Sequence, residues 1–453
     1  MNIDKKMALI SVVGSGHVGL VWACCMADKG HEVIVSERDL EKLKRLNQGA
    51  LPFYEPGLAQ LMSDALTKAK LTFTSRTSEA ITKSEISFVA VGTPSDHVGR
   101  IDLSQIKSAS IEIAKALGKA EFYHVVVVRS SVTPGTTVNL IKPTLERISG
   151  KRVGRNFGLA VQPEFLREGS AIHDVLHPDR VVIGACDTKA MNKLRKFYHA
   201  FHESKVPILE VSPTAAEMIK LASNAFLATR ISFINEIANI CQQLQDVDIV
   251  DVAKGMGLDK RIGLTYLNAG LGFGGSCLPK DLRLLITESN RLGYFPPLLK
   301  STLRVNELQP LQTVRIAKQE LGTLAGKKIT ILGSSFKPNT DDIRESPSLK
   351  LIELLLRSGA KITIYDPVSL EKANRILGKK VVYASSVRSG LRDADCCILA
   401  TEWPEFKGLR PKEFASLMRT PLLIDARRIY SPDKYMRYLR YRAPGLSERT
   451  QNC

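Results

Sequence analysis

The segment Ala8-Leu-Ile-Ser-Val-Val-Gly14-Ser-Gly-His-Val-Gly19 combines an apolar strand, a glycine turn and the start of a helix. Gly14, Gly16 and Gly19 have the spacing of a dinucleotide fingerprint, in which a pyrophosphate rests on backbone N–H groups at a helix N-terminus. Glu37 ends the next predicted strand, where a carboxylate accepts hydrogen bonds from the hydroxyls of an adenine ribose. The segment therefore predicts a βαβ unit that binds NAD, with the acid selecting NAD over NADP.

The same pattern occurs a second time in the C-terminal part of the chain. Lys328-Ile-Thr-Ile-Leu-Gly333 is another apolar strand that ends in glycine, and the strand after the following helix ends in Asp366. A repeated order of strand, glycine turn, helix and strand is typical of doubly wound sheets. The sequence predicts an α/β protein with two Rossmann-like doubly wound domains joined by a long central helix. We expect the first lobe at 1–208, a central helical region at 209–320 and the second lobe at 321–453.

A long helical pattern runs from about Ser212 to Gln245 in the central region. Ser212 marks its start, and Thr214 with Glu217 gives an alternative capping box. Its apolar residues cover nearly the whole circumference, so the helix is expected to be buried between lobes or in a subunit interface. Lys220 and Asn224 are four residues apart and share one polar face, which indicates either a solvent-facing stripe or a site.

A glycine-rich loop, Gly272-Phe-Gly-Gly-Ser-Cys277-Leu-Pro-Lys-Asp281, precedes another predicted helix. Pro279 fits the first helical position, which places Cys277 just outside the helix N-terminus, where amide groups and the helix dipole stabilise a thiolate. We expect the glycines to let a substrate carbon approach the sulfur. An ordinary buried cysteine in a tight loop is the alternative, but the helix start with Lys280 and Asp281 favours a nucleophile.

Composition narrows the class of protein. With 453 residues, 44% hydrophobic and 24% charged, the chain has the balance of a globular protein of two or three domains. Its eight cysteines form no CxxC pair and no cluster with metal-ligand spacing, which favours a reducing compartment and argues against structural zinc or a disulfide framework. No apolar run has the length of a membrane span. We therefore expect a cytoplasmic protein without a metal ion.

The formal net charge of +18 raises the alternative of an anionic partner. The densest basic patch lies between Arg427 and Arg449, where tyrosines alternate with arginines and lysines. Tyrosine and arginine together bind nucleic acid by stacking, but no RNA-binding or helix-turn-helix pattern accompanies them. We therefore expect a surface tail and no nucleic-acid partner, and keep a binder without turnover as the alternative from another class.

Several motifs resemble those of one enzyme family, and they occur in the family's order over nearly the whole chain. Besides the fingerprint and the cysteine loop they are Tyr54-Glu-Pro-Gly57, Val91-Gly-Thr-Pro94, Pro163-Glu-Phe-Leu-Arg-Glu-Gly169, Pro178-Asp-Arg-Val-Val-Ile-Gly184, Lys220-Leu-Ala-Ser-Asn224, Phe336-Lys-Pro-Asn-Thr-Asp-Asp-Ile-Arg-Glu-Ser346 and Thr401-Glu-Trp403. Together they resemble the UDP-glucose/GDP-mannose dehydrogenase family of nucleotide-sugar 6-dehydrogenases. The resemblance implies an NAD-binding first lobe, a central dimerisation region, a UDP-binding second lobe, and a homodimer or higher homo-oligomer.

The resemblance also implies the chemistry, a four-electron oxidation of a sugar CH2OH to a carboxylate with two NAD. Cys277 would form a thiohemiacetal and then a thioester, Lys220 and Asn224 would stabilise the oxyanion, and Asp281 would hold a water. Glu164 would activate the hydrolytic water, and Ser131 stands where the family commonly has threonine. The residues implied to contact NAD are Gly14, Gly16, Val18, Gly19, Glu37, Lys42, Thr93, Ser131, Glu168 and Arg344.

Substrate contacts are implied in the same way. They are Glu164, Phe165, Leu166, Lys220, Asn224, Arg261, Tyr266, Gly274 and Lys337, with Arg261 reaching across a dimer. Either Arg427 or Arg428 is a further candidate, and the sequence leaves the choice open. Tyr54-Glu-Pro-Gly57 and Thr401-Glu-Trp403 favour UDP-glucose as substrate. GDP-mannose or another UDP-sugar is the alternative within the family, and two-electron oxidation of a β-hydroxyacid is an alternative that leaves Cys277 without a use.

Overall fold

The computed structural model describes residues 8–96 and 99–448. The chain divides into two compact units, with the boundary between Ser223 and Asn224. This boundary lies inside the helix Pro213–Cys241, so the second unit begins within the central region defined from the sequence. None of the described helices is long and apolar enough to cross a membrane.

The first unit is an eight-stranded sheet flanked by helices. Its strands are β1 (Leu9–Val13), β2 (Glu32–Ser36), β3 (Leu71–Thr74), β4 (Ile86–Val89), β5 (His124–Val128), β6 (Phe157–Val161), β7 (Val181–Ala185) and β8 (Ile208–Val211). Its helices are α1 (His17–Asp28), α2 (Leu40–Asn47), α3 (Leu58–Thr67), α4 (Thr77–Lys83), α5 (Ser104–Lys119), α6 (Lys142–Ser149, preceded by a π-helical turn at Thr137–Ile141), α7 (Ala171–Leu176) and α8 (Thr188–Phe201).

The strand order of this sheet is β3-β2-β1-β4-β5-β6-β7-β8. All neighbours are parallel except β6 and β7, which pair antiparallel through Ala160 with Ala185 and Val161 with Gly184. The chain reverses its winding direction between β1 and β4, which is the point where doubly wound sheets bind ligands at the carboxyl ends of their strands. The fingerprint glycines follow β1 and therefore lie at this edge.

Strand β5 shows why the sheet is covered on both faces. Val125 and Val127 pack into the apolar layer formed with α1 and α8, whereas Val126 and Val128 pack into the layer formed with α5 and α6. Side chains of a strand alternate between faces, so an unbroken run of valines is stable only where both faces are buried. Each fully buried valine contributes about 1.5 to 3 kcal/mol.

The second unit contains a six-stranded parallel sheet in the order β11-β10-β9-β12-β13-β14. Its strands are β9 (Lys328–Leu332), β10 (Lys361–Tyr365), β11 (Val382–Tyr383), β12 (Cys396–Leu399), β13 (Leu422–Asp425) and β14 (Arg440–Arg442). With α9 (Pro213–Cys241) ending in this unit, its helices are α10 (Ile249–Gly257), α11 (Leu278–Arg291), α12 (Pro297–Leu321), α13 (Pro347–Arg357), α14 (Leu370–Leu377, followed by a 3-10 turn at Gly378–Lys380), α15 (Val387–Leu391), α16 (Pro404–Lys407), α17 (Pro411–Leu417) and α18 (Pro432–Met436).

Two sheets of the same strand order confirm the prediction of two Rossmann-like domains. The first six strands of the first sheet and the whole second sheet both follow the order 3-2-1-4-5-6 when numbered within their unit. The long helix predicted between them is also confirmed, as α9 begins at Pro213. Ser212 Oγ accepts a hydrogen bond from Ala215 N (3.2 Å), so Ser212 caps the helix.

The alternative capping box of Thr214 with Glu217 is wrong. Glu217 is 2% exposed, and its carboxylate accepts hydrogen bonds from Gly135 N (2.5 Å) and Thr137 N (2.9 Å) at the start of the π-helical turn. The acid therefore satisfies backbone groups of another helix N-terminus. A capping box needs its acid to turn back to its own helix, which this contact prevents.

The interpretation of residues 427–449 as a surface tail is wrong for the part that the structure describes, which excludes Arg449. Strand β14 closes the edge of the second sheet, with Tyr441 opposite Leu423. Tyr441 is fully buried, and its hydroxyl donates to Asp425 Oδ2 (2.9 Å). Within β14, Arg440 and Arg442 flank the buried Tyr441 because a strand turns one side chain inward and the next outward. Of the other tyrosines in this segment, Tyr430 and Tyr435 are buried and Tyr438 is half-exposed.

Candidate active site

The fingerprint turn between β1 and α1 has the backbone geometry that a dinucleotide requires. Gly14 has φ +99°, and a Cβ on it would lie 2.9 Å from Ala90 O. A Cβ on Gly19 would overlap Gly14 O, whereas a Cβ on Gly16 would point into open space. Gly14 and Gly19 are therefore required by the turn and by helix packing, and Gly16 leaves room for a ligand above the N-terminus of α1.

Glu37 lies directly beside this turn. Its Oε2 accepts hydrogen bonds from Ser15 Oγ (2.5 Å), Ser15 N (3.3 Å) and Lys42 Nζ (2.9 Å), and its Oε1 accepts one from Asp39 N (3.0 Å). Partial burial raises the pKa of Glu37, but these hydrogen bonds and the charge of Lys42 outweigh it and lower the pKa to about 2. Glu37 is therefore a fixed carboxylate with lone pairs left for ribose hydroxyls, and the turn and the acid together fit NAD.

The other residues implied to contact NAD lie in both units. Val18 is part of α1 and packs against the core of the first unit, and Thr93 Oγ1 donates to Ser131 O (2.6 Å) after β4 and β5. Glu168 is partly buried in the loop after β6. Arg344 belongs to the second unit, where its guanidinium is 2.6 Å from Asp342 Oδ2 and its side chain is 65% exposed.

Glu55, in the Tyr54-Glu-Pro-Gly57 motif, is a residue for which no role was predicted from the sequence. It is 3% exposed and accepts hydrogen bonds from Gly169 N (2.7 Å) and Ala171 N (2.8 Å) at the start of α7. His17 Nε2 lies 2.8 Å from its Oε2. A carboxylate with three partners links the fingerprint turn to the loop that carries Glu168. The position of Glu55 just before a helix-initiating glycine was the feature of the sequence that could have indicated a role for it.

Glu164 and Lys220 form a buried ion pair in the first unit. Lys220 Nζ donates to Glu164 Oε1 (2.9 Å), and each side chain is 5% exposed. Leu166 N donates to the second carboxylate oxygen of Glu164 (2.7 Å). Burial alone would raise the pKa of Glu164, but Lys220, the Leu166 amide and the charge of Arg129 together lower it. Glu164 is therefore a carboxylate, and Lys220 has the partner that a buried ammonium needs.

Phe165 lies beside this pair. Lys220 Nζ is 5.5 Å from the Phe165 ring centroid, and the Arg180 guanidinium is 4.3 Å from the same ring. Leu166, whose amide fixes Glu164, packs against the core of the first unit. The alternative that Lys220 faces solvent is wrong, since the whole residue is 4% exposed.

Asn224 and Asp281 meet in the second unit. Asn224 Nδ2 donates to Asp281 Oδ2 (2.6 Å), and Lys280 Nζ lies 2.7 Å from Asp281 Oδ1 in an ion pair without hydrogen-bond geometry. Asp281 is fully buried in the first turn of α11, where the helix dipole stabilises its charge. The amide and the carboxylate that the motifs indicated therefore form one hydrogen-bonded group.

Cys277 is the N-cap residue of α11, one position before Leu278. Pro279 occupies the second helical position and not the first. Cys277 is partly exposed, its Sγ lies 3.6 Å from Ser276 Oγ, and its carbonyl accepts a hydrogen bond from Asp281 N (2.8 Å). The sulfur is therefore located at the N-terminus of a 14-residue helix, as the sequence predicts.

Two glycines before Cys277 have a packing role within their own unit. A Cβ on Gly274 would overlap Glu345 O, and one on Gly275, which has φ +83°, would lie 2.7 Å from the Phe336 ring. Asn306 fixes the loop from α12, since its side chain accepts from Phe273 N (2.8 Å) and donates to Phe273 O (3.0 Å). These two glycines thus allow the loop to pack inside its own unit. Gly274 is buried, and substrate contact by it stays a prediction.

The glycine turn after β9 is fixed by Asp366, which is 1% exposed. Its Oδ2 accepts from Ser334 N (2.8 Å), Ser335 N (3.1 Å), Ser335 Oγ (3.2 Å) and Trp403 Nε1 (3.2 Å), and its Oδ1 accepts from Val368 N (3.0 Å) and Ser369 N (2.9 Å). Trp403 of the Thr401-Glu-Trp403 motif therefore holds this turn. Lys337 follows the turn, with Nζ 5.6 Å from the Phe336 ring centroid.

Arg427 and Arg428 both make contacts within the second unit. Arg427 donates to the carbonyls of Ala400 (2.7 Å), Gly272 (3.1 Å) and Phe336 (3.3 Å), and so joins the cysteine loop to the second sheet. Arg428 is ion-paired with Asp248, and its side chain is 5% exposed. Neither contact selects one of them as a ligand residue.

Arg261 lies on an exposed loop after α10. Its side chain is 88% exposed and pairs with Asp259 (2.6 Å). Arg230 of α9 donates to the carbonyls of Ile262 (2.8 Å) and Gly263 (2.8 Å), which fixes the loop from below. Tyr266, further along the same loop, has φ +60°. Arg230 was not identified from the sequence, although an arginine inside an apolar helix was a signal.

In the parts of the chain that the structure describes, no group of three or more His, Cys, Asp or Glu side chains is arranged to hold a metal ion.

Comparison with known proteins shows matches to one family along nearly the whole chain. Three models of the UDP-glucose/GDP-mannose dehydrogenase family match it: the NAD binding domain at 8–202, the central domain at 214–308 and the UDP binding domain at 330–432. The curated UDP-glucose 6-dehydrogenase TuaD of Bacillus subtilis is 40% identical over 94% of this chain and 90% of its own length. UDP-glucose 6-dehydrogenase AglM of Haloferax volcanii is 41% identical over 93% of this chain and 96% of its own.

A solved structure agrees with these relatives. The UDP-glucose dehydrogenase of Pyrobaculum islandicum superimposes with a TM-score of 0.90 at 38% identity, covering 98% of each chain. The resemblance inferred from the motifs is confirmed, and so is NAD as the cofactor, because the first lobe matches the family's NAD binding domain. The chain belongs to the UDP-glucose/GDP-mannose dehydrogenase family.

Proposed function

We propose that this chain oxidises UDP-glucose to UDP-glucuronate with two NAD, through a thioester on Cys277. The observation that carries the proposal is the group at the start of α11: a partly exposed cysteine at the N-cap and, in the next turn, a buried aspartate bonded to Asn224. A two-electron β-hydroxyacid dehydrogenase has no use for this cysteine. The relatives named UDP-glucose 6-dehydrogenase support UDP-glucose as the substrate.

The first oxidation converts the C6 alcohol to an aldehyde. When bound, NAD supplies the oxidant for both oxidations, since each of the two NAD used accepts one hydride, a hydrogen with two electrons, from C6. Lys220, with Asp281 holding a water, assists removal of the hydroxyl proton, and Lys220 and Asn224 stabilise the oxyanion that develops. Their fixed partners, Glu164 and Asp281, hold the ammonium and the amide in place. Gly14, Gly16, Glu37 and Lys42 hold the cofactor, with Thr93, Ser131 and Arg344 as further contacts.

The second oxidation needs a nucleophile, because the hydrogen of a free aldehyde does not readily leave as hydride until a nucleophile adds to the carbonyl carbon. The Cys277 sulfur forms a C–S bond to the aldehyde carbon, and the carbonyl oxygen takes a proton, which gives a thiohemiacetal. Loss of the C6 hydrogen and of the hydroxyl proton then yields a thioester. The N-terminus of α11 stabilises the thiolate form of Cys277 before addition and after release.

Hydrolysis of the thioester completes the reaction, with Glu164 as the base. The carboxylate accepts a proton from water as the water oxygen bonds to the thioester carbon, the C–S bond breaks, and Cys277 leaves as a thiolate. The lowered pKa of Glu164 keeps it ionised for this step. The Leu166 amide fixes its orientation, Phe165 lies beside its partner Lys220, and Glu168 lies in the same loop.

The second lobe binds the UDP moiety in this proposal. Lys337 follows the turn held by Asp366, and Tyr266 lies on the loop held by Arg230. A small uracil site read by a few hydrogen bonds rejects guanine because buried polar groups would lose their partners. We expect a preference of roughly a hundredfold or more for UDP-glucose over GDP-mannose.

A homodimer belongs to the same proposal. Several apolar side chains of α9 are largely exposed in the single chain, among them Met218, Phe226 (62%), Phe233 and Ile240. An apolar stripe of this kind is typical of a subunit interface, and Arg261 would reach the partner's substrate from the neighbouring loop. The buried thiols Cys24, Cys25, Cys396 and Cys397 fit the reducing cytoplasm that we propose as its location.

The test is a panel of nucleotide sugars. NADH formation is followed with UDP-glucose, other UDP-sugars and GDP-mannose, and kcat/KM is compared. The proposal predicts the highest value for UDP-glucose and UDP-glucuronate as the product. Preference for GDP-mannose would overturn the substrate and leave the cysteine mechanism intact, whereas binding of nucleic acid without turnover on any sugar would overturn the enzyme assignment.

A further inference from the structure

Arg129 is a buried arginine that none of the motifs accounts for. It follows the all-valine end of β5 and is 3% exposed. Its guanidinium lies 3.9 Å from the Trp22 ring centroid and 5.9 Å from that of Phe88. Burying a guanidinium is costly unless opposite charge and hydrogen bonds compensate it, so its position in an apolar layer requires an explanation.

Its polar contacts lead to Glu164. Arg129 Nη1 donates to Gln162 Oε1. Gln162 directly follows β6. Its backbone N–H donates to Val128 O (2.9 Å), and its side-chain Nε2 donates to Pro163 O (3.0 Å). The arginine therefore fixes the backbone two residues before Glu164, whose own oxygens are held by Lys220 and Leu166.

The charges around Arg129 and Glu164 favour the charged form of both side chains. The groups that face Glu164 are Lys220 from α9 and Arg129 from the end of β5, both cationic. Those that face Arg129 are Glu164, the Tyr198 hydroxyl from α8 and the Cys25 thiol from α1. Glu164 is the carboxylate that compensates Arg129, and Arg129 in turn favours its ionised form.

We propose that Arg129 is a positioning residue for thioester hydrolysis, holding Gln162-Pro163-Glu164 in place. The inference rests on the proposed function, in which Glu164 accepts the proton of the attacking water while the C–S bond to Cys277 breaks. Arg129 itself exchanges no proton. A plain core anchor, stacked on Trp22, would stabilise the fold without affecting that step.

Three variants separate these roles: Arg129→Met removes the charge and the guanidinium donors, Arg129→Lys keeps the charge, and Trp22→Leu removes the stacking on Trp22 while Arg129 keeps its contact with Gln162. Each is given UDP-glucose and NAD from about pH 4 to about pH 9, and two quantities are followed: NADH formation and the mass of the adduct on Cys277 after rapid quenching. The acidic limb of adduct hydrolysis reports the ionisation of Glu164.

We expect Arg129→Met to slow adduct hydrolysis about tenfold with the first NADH unchanged, and to move the acidic limb to higher pH. Arg129→Lys should leave the limb in place with slower hydrolysis, and Trp22→Leu should lower only the melting temperature. Adduct hydrolysis at the wild-type rate in Arg129→Met, or an equal slowing in Trp22→Leu, would overturn the proposal.

A fourth variant covers the case in which Arg129→Met does not fold. Gln162→Leu removes the acceptor of the arginine and retains its charge. We expect about tenfold slower adduct hydrolysis with the first NADH unchanged, and an equal loss in both oxidations would overturn the inference. Wild-type turnover distinguishes failure of the proposed function from failure of this inference. If the wild type forms no NADH from UDP-glucose, the proposed function is rejected together with the inference. If the wild type turns over normally and the variants are unaffected, the inference alone is rejected.

Discussion

Asp366→Asn tests whether one buried carboxylate holds the glycine turn of the second lobe. Both oxygens of Asp366 accept backbone N–H groups, Ser334 and Ser335 on one side and Val368 and Ser369 on the other. An asparagine has a single oxygen, so whichever way the amide lies, two backbone N–H groups face an NH2 group. Each buried donor left without an acceptor costs about 1 to 3 kcal/mol, and the remaining hydrogen bonds lose their charge assistance. The expected loss is about 3 to 5 kcal/mol.

The assay uses the two tryptophans of the chain, one in each unit. In a Trp22→Phe background, Trp403 fluorescence during urea unfolding reports the second unit, where Asp366 lies. Asp393→Asn is the matched control, because it removes the same charge from an exposed loop and should change the unfolding free energy by less than about 0.5 kcal/mol. A loss below about 1 kcal/mol for Asp366→Asn would refute the reasoning.

Three further predictions concern the first lobe and the nucleophile. Cys277→Ala should lower UDP-glucuronate formation by about three orders of magnitude or more while NAD binding persists, and acid formation near the wild-type rate would make the cysteine structural. Glu37→Ala should raise the KM for NAD by about tenfold to a hundredfold and reduce discrimination against NADP, and an unchanged NAD/NADP ratio would contradict the ribose contact. Burial lowers the pKa of His124 to about 4, so its contribution to stability is complete above pH 6.5 and is lost as pH falls toward 4, by about 3 kcal/mol in total. Unfolding free energies of wild type and His124→Gln across this range should therefore differ in slope, and parallel curves would exclude His124 as the source.

Local patterns predicted most of the fold, because the residues that decide it are close in sequence. The strand, turn and helix around Gly14 and the acid at Glu37 form one βαβ unit, and the repeat at Gly333 forms another. The cysteine loop was predicted for the same reason, since Cys277 and Asp281 belong to one helix start.

Contacts between distant segments were not predictable. Arg129 meets Gln162, Glu55 meets Ala171, and Asn306 meets Phe273 across separate elements, so no spacing in the sequence reports them. The segment with the C-terminal arginines was predicted as a surface tail because its charge density outweighed the alternation of side chains that marks β14. The glycines at 274 and 275 were assigned to the substrate although the loop needs them for packing. A glycine in the sequence shows that a side chain is absent at that position. It does not show which neighbouring residue requires that absence.

The most direct test of the cysteine mechanism is the number of NADH formed for each UDP-glucose consumed. Complete turnover through a thiohemiacetal and a thioester removes four electrons and releases one UDP-glucuronate, so the account predicts a ratio of two. A reproducible ratio of one, with the aldehyde as the final product, would contradict it.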